Sequence, residues 1–240
     1  MAFTIPDRGA VAAHVEASLA AAPIGTDPFP HLVVARVLPD DFYTSLIAAL
    51  PPATCFTGAH VKPNWRFTPD GVPEDGFRLW RFFAEDVVPS MLVPGVVNRF
   101  AAHIPDVPLG HSDVRMLLRR PGYRIRPHLD PGKSFVTTLF YLARPGEPEA
   151  YGTDLYRTED QAPGTRERTF YPEDDSVRYA LATTIPFRAN TALVFANVGL
   201  HGAQIPPDAP LDLERYAVQF YVGPAAAAPG IAAADGQDAY

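Results

Sequence analysis

Three residues in the second half of this chain have types and spacing that suit a metal ion. His128 and Asp130 stand two apart in the segment RRPGYRIRPHLDPG, Arg119 to Gly132. On extended backbone alternate side chains share a face, so both can point at one ion. Much later NTALVFANVGLHGA, Asn190 to Ala203, reads as an apolar strand running into a turn that ends at His201-Gly202. Imidazole and carboxylate suit a borderline divalent metal, and two histidines with one carboxylate make a facial set that leaves positions open. Fe(II) held this way can take a bidentate 2-oxo acid and still keep a place for O2. The remote carboxylate of such a co-substrate needs a fixed cation. Arginine supplies a planar two-donor fork for it, and Arg215 opens the otherwise apolar run RYAVQFYVG, fourteen residues beyond His201.

The elements around these residues read mostly as strands. From Asp113 onward short apolar runs alternate with turn signals: Val114–Leu118, Phe135–Ala143, Thr153–Tyr156, Val177–Thr184, Thr191–Ala196 and Arg215–Val222. That rhythm predicts an antiparallel sandwich or barrel. Ahead of it lie a helix over Gly9–Ala22, a strand over His31–Leu38, and a helix from Asp40 to Leu50 with Asp40 and Asp41 as N-cap candidates. Residues Pro51–Gly76 read as a long loop, and Phe77–Ile104 as helix interrupted near Pro89 and Pro94. The polar stretch Arg144–Ser176 is long enough to serve as a lid. The tail after Pro224 is rich in alanine and glycine.

Composition narrows the class. The chain has 240 residues and is 47% hydrophobic, enough for a sizeable core in one domain. Its 27 prolines, above an average share of roughly 5%, favour short elements joined by turns. With a net charge of −7 and no basic run, nucleic acid is not an expected partner. The single cysteine, Cys55, allows no intramolecular disulfide and fits a reducing compartment. No signal-type leader stands at Met1–Arg8 and no apolar run is long enough for a bilayer, so the expected setting is cytoplasmic, away from membranes. No motif specifies an oligomeric state.

The order His-x-Asp, strand, excursion, strand to His-Gly, then arginine on the last strand resembles the 2-oxoglutarate/Fe(II) dioxygenase superfamily. The local text is most similar to its prolyl-4-hydroxylase-like branch: a Pro121-Gly122 turn before the metal motif, and Thr137, Leu139, Tyr141 and Leu142 on the strand after it. The resemblance covers Val114 to Gly223. It implies a double-stranded β-helix, or jelly roll, as a mainly β fold over 113–223. A mostly helical support region, 1–112, would pack on one sheet and 224–240 would be a tail, the whole 1–240 forming one oxygenase domain. It also implies Fe(II), 2-oxoglutarate and O2, with His128, Asp130 and His201 on the metal and Arg215 on the co-substrate. The expected reaction hydroxylates a C–H bond of a small molecule and releases succinate and CO2, with no catalytic group beyond the metal ligands. The chain departs from the branch in carrying arginines just before Pro121 and Tyr151-Gly-Thr-Asp-Leu-Tyr156 in the next strand, which points away from peptidyl proline as substrate.

Other residues are weaker candidates. Thr137 and Tyr141 share a strand face and are candidates to help Arg215 hold the remote carboxylate. Asn197 is a candidate to orient the turn or the co-substrate, and Tyr123 to contact the co-substrate or simply to pack. Trp65, Arg66, Arg157, Arg166, Arg168 and Tyr171 lie in the two long loops, where they would suit a substrate lid. His14, His31, His60, His103 and His111 have no partner at metal spacing. A cupin-like metalloenzyme without 2-oxoglutarate, or an inactive binding module, would share much of this pattern.

Overall fold

Helix α1, Arg8–Ala21, starts where the Asp7 carboxylate accepts the Ala10 N–H at 2.8 Å, satisfying one of the donors a helix start leaves open. Its buried residues, Val11, Val15 and Leu19, recur every four positions and make a single stripe. Strand β1, His31–Ala35, and helix α2, Asp40–Ala48, follow. The computed structural model describes residues 3–158, 169–175 and 177–225. The expected tail beyond 225 and the lid candidates Arg166 and Arg168 lie outside the described residues.

Three expectations for this region change. The stretch Pro51–Gly76 is not all loop: it holds a short strand β2, Asn64–Trp65, and the first turn of α3, Glu74–Phe82. Nor do Pro89 and Pro94 interrupt the helix. The backbone stays right-handed helical from α3 through Phe83–Leu92, which has π-type bonding, into α4, Val93–Phe100. Pro89 lies inside the wider π turn, where the bonding pattern is already displaced from the α register. Pro94 falls in the first turn of α4, where a missing N–H removes little. Trp65, a lid candidate, is instead fully buried against Phe56, Phe67 and Trp80.

The remaining strands are β3, Leu109–Arg119; β4, Arg124–His128; β5, Val136–Tyr141; β6, Thr153–Thr158; β7, Tyr179–Ile185; β8, Thr191–Ala196; β9, Leu200–Gln204; and β10, Arg215–Pro224. They form a six-stranded sheet, order β1-β8-β5-β10-β3-β2, and a four-stranded sheet, order β4-β9-β6-β7. This is the expected mainly β jelly roll. On the large sheet alternate residues part company. Val136, Phe140, Val194, Tyr216, Val218 and Phe220 face the helices and join their core. Tyr141, Leu193, Phe195 and Ala217 face the other way, where they meet Leu155 and Ile185 of the small sheet. The period-2 alternation therefore gives the large sheet one face for the helices and one for the barrel interior. Among the described residues no helix is long and apolar enough to cross a membrane.

Asn190 pins the helical half to the barrel. It sits before β8 in the left-handed region, φ 52°. Its side chain accepts the Leu38 N–H at 3.0 Å and donates to the Leu38 carbonyl at 2.7 Å. Asn190→Ala should lower unfolding stability by about 2–4 kcal/mol, because two buried backbone groups lose their partners and alanine tolerates a positive φ poorly. Denaturant unfolding of the two proteins measures it.

Candidate metal centre

Strand pairing creates the site. His128 closes β4, His201 is the second residue of β9, and the two are direct cross-strand partners, which places their rings 4.2 Å apart. The register of β4 on β9 shifts between Ile125 and His128, and Pro127 falls in that bulge, where its missing N–H breaks no ladder bond. His201 lies on a strand and not at the end of a turn. The turn is Asn197–Gly199, with β9 beginning at Leu200. It needs Gly199, since a Cβ there would fall 1.8 Å from the Phe29 ring. Asp130 follows just past β4, with Leu129 fixed by a backbone bridge to Phe170.

All three side chains are buried, and one ligand atom from each lies within 4.8 Å of the others. The Asp130 oxygens stand between the imidazoles: Oδ1 is 3.6 Å from His128 Nε2 and Oδ2 is 3.6 Å from His201 Nε2. His128 directs Nδ1 at the Arg126 carbonyl, 2.9 Å away. A proton donated there leaves Nε2 bare to face a metal. Thr137 Oγ1 donates to Asp130 Oδ2 at 2.6 Å. Burial alone would raise the Asp130 carboxyl, but the electrostatic interaction with His201 together with the His128 and Thr137 contacts outweighs it and holds Asp130 below the usual carboxylate range. Burial, reinforced by His128, pushes His201 down to about 3. A carboxylate beside the neutral His201 imidazole suits a divalent cation, so the residues present fit the ion.

Arg215, the first residue of β10, is buried in the barrel. Its Nη2 donates to the Pro148 carbonyl at 2.6 Å and to the Ala150 carbonyl. Its guanidinium carbon lies 4.0 Å from the Phe187 ring centre and 5.4 Å from that of Tyr151. Nε and Nη1 have no protein partner, so one edge of the fork remains to be satisfied. Burial lowers this guanidinium to about 10, which leaves it charged at neutral pH. Tyr141 faces the same space and donates to Thr153 Oγ1 at 2.7 Å.

The other sequence candidates separate. Thr137 serves Asp130 and lies opposite Tyr221, six residues along β10 from Arg215. Asn197 donates from Nδ2 to the carbonyls of Asp130, Pro131 and Ser134. Tyr123 packs with Ile205, Ala209 and Leu213 beneath the Arg119 guanidinium. Tyr171 stands 5.9 Å from the His128 ring, under Arg126. Among the described residues the remaining histidines join no metal-ligating group.

The structure also brings in residues the sequence reading passed over. Arg115 donates from Nε and Nη2 to Gln219 Oε1 at 3.1 and 2.9 Å and pairs with Asp113 at 3.2 Å. Asp113 in turn pairs with Arg66 at 2.7 Å. Asp113 has a φ of 55° and lies in a β3 bulge, where Asp113 and Val114 together oppose Phe220. Arg115 and Gln219 interrupt otherwise apolar strands, which was the available signal.

No protein-family profile and no curated protein matches the chain. Solved structures do. HygX from Streptomyces hygroscopicus, solved with nickel, 2-oxoglutarate and hygromycin B bound, is 17% identical over 81% of this chain and 82% of its own, with a TM-score of 0.52. AviO1 from Streptomyces viridochromogenes Tue57 is 14% identical over 95% and 99% of the two chains, TM-score 0.52. The epimerase SnoN, in complex with Fe3+, alpha ketoglutarate and nogalamycin RO, is 14% identical over 88% and 84%, TM-score 0.52. At such identities the likeness is one of fold: the chain shares the fold of HygX and SnoN, two proteins solved with a transition metal and 2-oxoglutarate.

Proposed function

We propose that the protein is an Fe(II)- and 2-oxoglutarate-dependent oxygenase that hydroxylates a C–H bond of a small molecule. The observation that carries this reading is the pairing of two buried features in one barrel. One is the convergent His128, Asp130 and His201 set. The other is a buried arginine, Arg215, with two nitrogens, Nε and Nη1, left for an anion. A cupin-like enzyme without 2-oxoglutarate has no use for the second feature. His128, Asp130 and His201 would hold Fe(II), and Arg215, with Tyr141 near it, would hold the remote carboxylate of 2-oxoglutarate. When bound, the pair supplies O2 activation coupled to decarboxylation of the co-substrate to succinate and CO2.

The chain's own part is orientation and exclusion of water. The Pro148 and Ala150 carbonyls and the Phe187 face fix the Arg215 plane, so a carboxylate meets a preset fork. Leu139, Leu193, Phe195 and Ala217 line the interior and keep it dry. On the other side of the metal set a polar track climbs to solvent. Gln219 is 9% exposed, and the side chains of Arg115, Asp113 and Arg66 are 17%, 27% and 60% exposed. The track begins beside Tyr221, whose cross-strand partner is Thr137. We assign it to the primary substrate, which would then carry polar groups. Hygromycin B and nogalamycin RO, bound by HygX and SnoN, make a small molecule the favoured kind. The cytoplasm and a single oxygenase domain remain part of this proposal.

Anaerobic addition of Fe(II) and 2-oxoglutarate should produce a weak visible charge-transfer band, and a colourless mixture would overturn the reading. His128→Ala and His201→Ala should each weaken metal binding by more than the roughly 10–100-fold that loss of an outer-shell partner costs, as a metal titration will read. Arg215→Ala should raise the dissociation constant for 2-oxoglutarate about thirtyfold to several thousandfold. That range corresponds to roughly 2–5 kcal/mol for an orphaned charge partner, and metal affinity should stay unchanged. Arg215→Lys should recover part of the loss, since it keeps charge without the fork. Arg115→Leu should leave 2-oxoglutarate binding intact while raising KM for the primary substrate about 10–100-fold, the equivalent of a hydrogen bond to a charged group. Succinate release across a substrate panel measures it.

A further inference from the structure

We infer that Asn197 is a positioning residue: a latch that ties the segment carrying Asp130 to the turn leading into the His201 strand and so holds the ligand set in shape before any metal arrives. The inference rests on reading His128, Asp130 and His201 as a metal site. Asn197 follows β8 as the first residue of the turn and stands four residues before His201. Its Nδ2 donates to the Asp130 carbonyl at 2.9 Å, the Pro131 carbonyl at 3.0 Å and the Ser134 carbonyl at 2.8 Å. Its backbone N–H donates to the Phe135 carbonyl at 2.8 Å. One residue thus meets four carbonyls of the 130–135 segment. Two amide hydrogens serve three acceptors, and only the nitrogen end of the amide can do so.

The segment needs such a tie because it leaves the sheet there. After His128 the chain makes a turn, closed by the Ser134 N–H on the Pro131 carbonyl at 2.9 Å, before entering β5. Asp130 is therefore not on a strand, and it follows directly on Leu129, which a backbone bridge ties to Phe170. Thr137 fixes the Asp130 carboxylate, whereas Asn197 fixes the Asp130 backbone. Because the short turn Asn197–Gly199 leads directly into β9, which carries His201, displacement of either ligand segment is transmitted to the other. A metal then meets three ligands already converged and spends less of its binding free energy on ordering them.

Anaerobic Co(II) titration, followed by d–d absorption, tests this alongside the thermal midpoint of each metal-free protein. Asn197→Ala should bind Co(II) about 10–100-fold more weakly than wild type, with a changed d–d envelope. Asn197→Ser, which keeps a donor too short to span three carbonyls, should fall between. Wild-type affinity and spectrum in a folded Asn197→Ala would overturn the latch. Hydrogen exchange of the metal-free wild type reads the same claim without a variant. The 130–135 segment should already be protected, with little further slowing on Co(II) addition. Free exchange that becomes protected only with metal would also overturn it. Failure of the wild type to bind Co(II) would instead remove the metal reading, while the exchange result would still report on the latch.

Discussion

A carboxylate buried in the middle of a protein must be given partners, and the site follows from how Asp130 receives them. Isolated burial would drive it to protonate. Here two imidazoles stand 3.6 Å from its oxygens and a threonine hydroxyl donates at 2.6 Å, so the charge survives. The same burial pushes the His201 imidazole toward its neutral form. One carboxylate and two imidazoles are thereby held together in a buried space, an arrangement that a divalent cation would satisfy better than any side chain present.

Arg215 poses the mirror problem at the other end of the barrel. It is a buried cation whose partners are two backbone carbonyls and an aromatic face, none carrying a full negative charge. Glu147 acts on it only from a distance, opposing the effect of burial. A guanidinium left with an unpaired edge is costly in the absence of an anion. The barrel thus holds an anionic centre awaiting a cation and a cationic centre awaiting an anion, separated by the apolar residues Leu139, Leu193 and Ala217. A molecule that chelates a metal at one end and ends in a carboxylate at the other relieves both.

The polar side of the interior is built from backbone irregularity. The bulge at Asp113 turns an acidic side chain toward both Arg66 and Arg115, and the bulge at Pro127 brings His128 opposite His201. Bulges of this kind re-aim side chains that a regular ladder would send elsewhere. The helices on the far face of the large sheet supply the rigidity behind both, through a continuous core in which Phe83 stacks on Phe140 with ring centres 5.6 Å apart.

Much of this was legible in the sequence because it rests on local periodicity. The alternation in Phe135–Ala143 and Thr191–Ala196 declared strands, the two-residue step from His128 to Asp130 declared a shared direction, and the lone arginine opening an apolar run declared a buried charge. Local pattern stopped where partners are distant in sequence. Nothing in the residues near Asn197 announces that its amide will meet the carbonyls of Asp130, Pro131 and Ser134. Nothing near Thr137 announces that it serves Asp130 and not Arg215, since that choice is set by the register of β5 on β10. Pro89 and Pro94 looked like breaks because a lost N–H is a local fact, while the π turn that accommodates Pro89 is held by packing on the sheet. The sequence by itself determined which chemistry is present and on which kinds of element. Only the tertiary structure decided which side chain faces which, because pairing register and bulges are fixed by contacts between segments that no local pattern encodes.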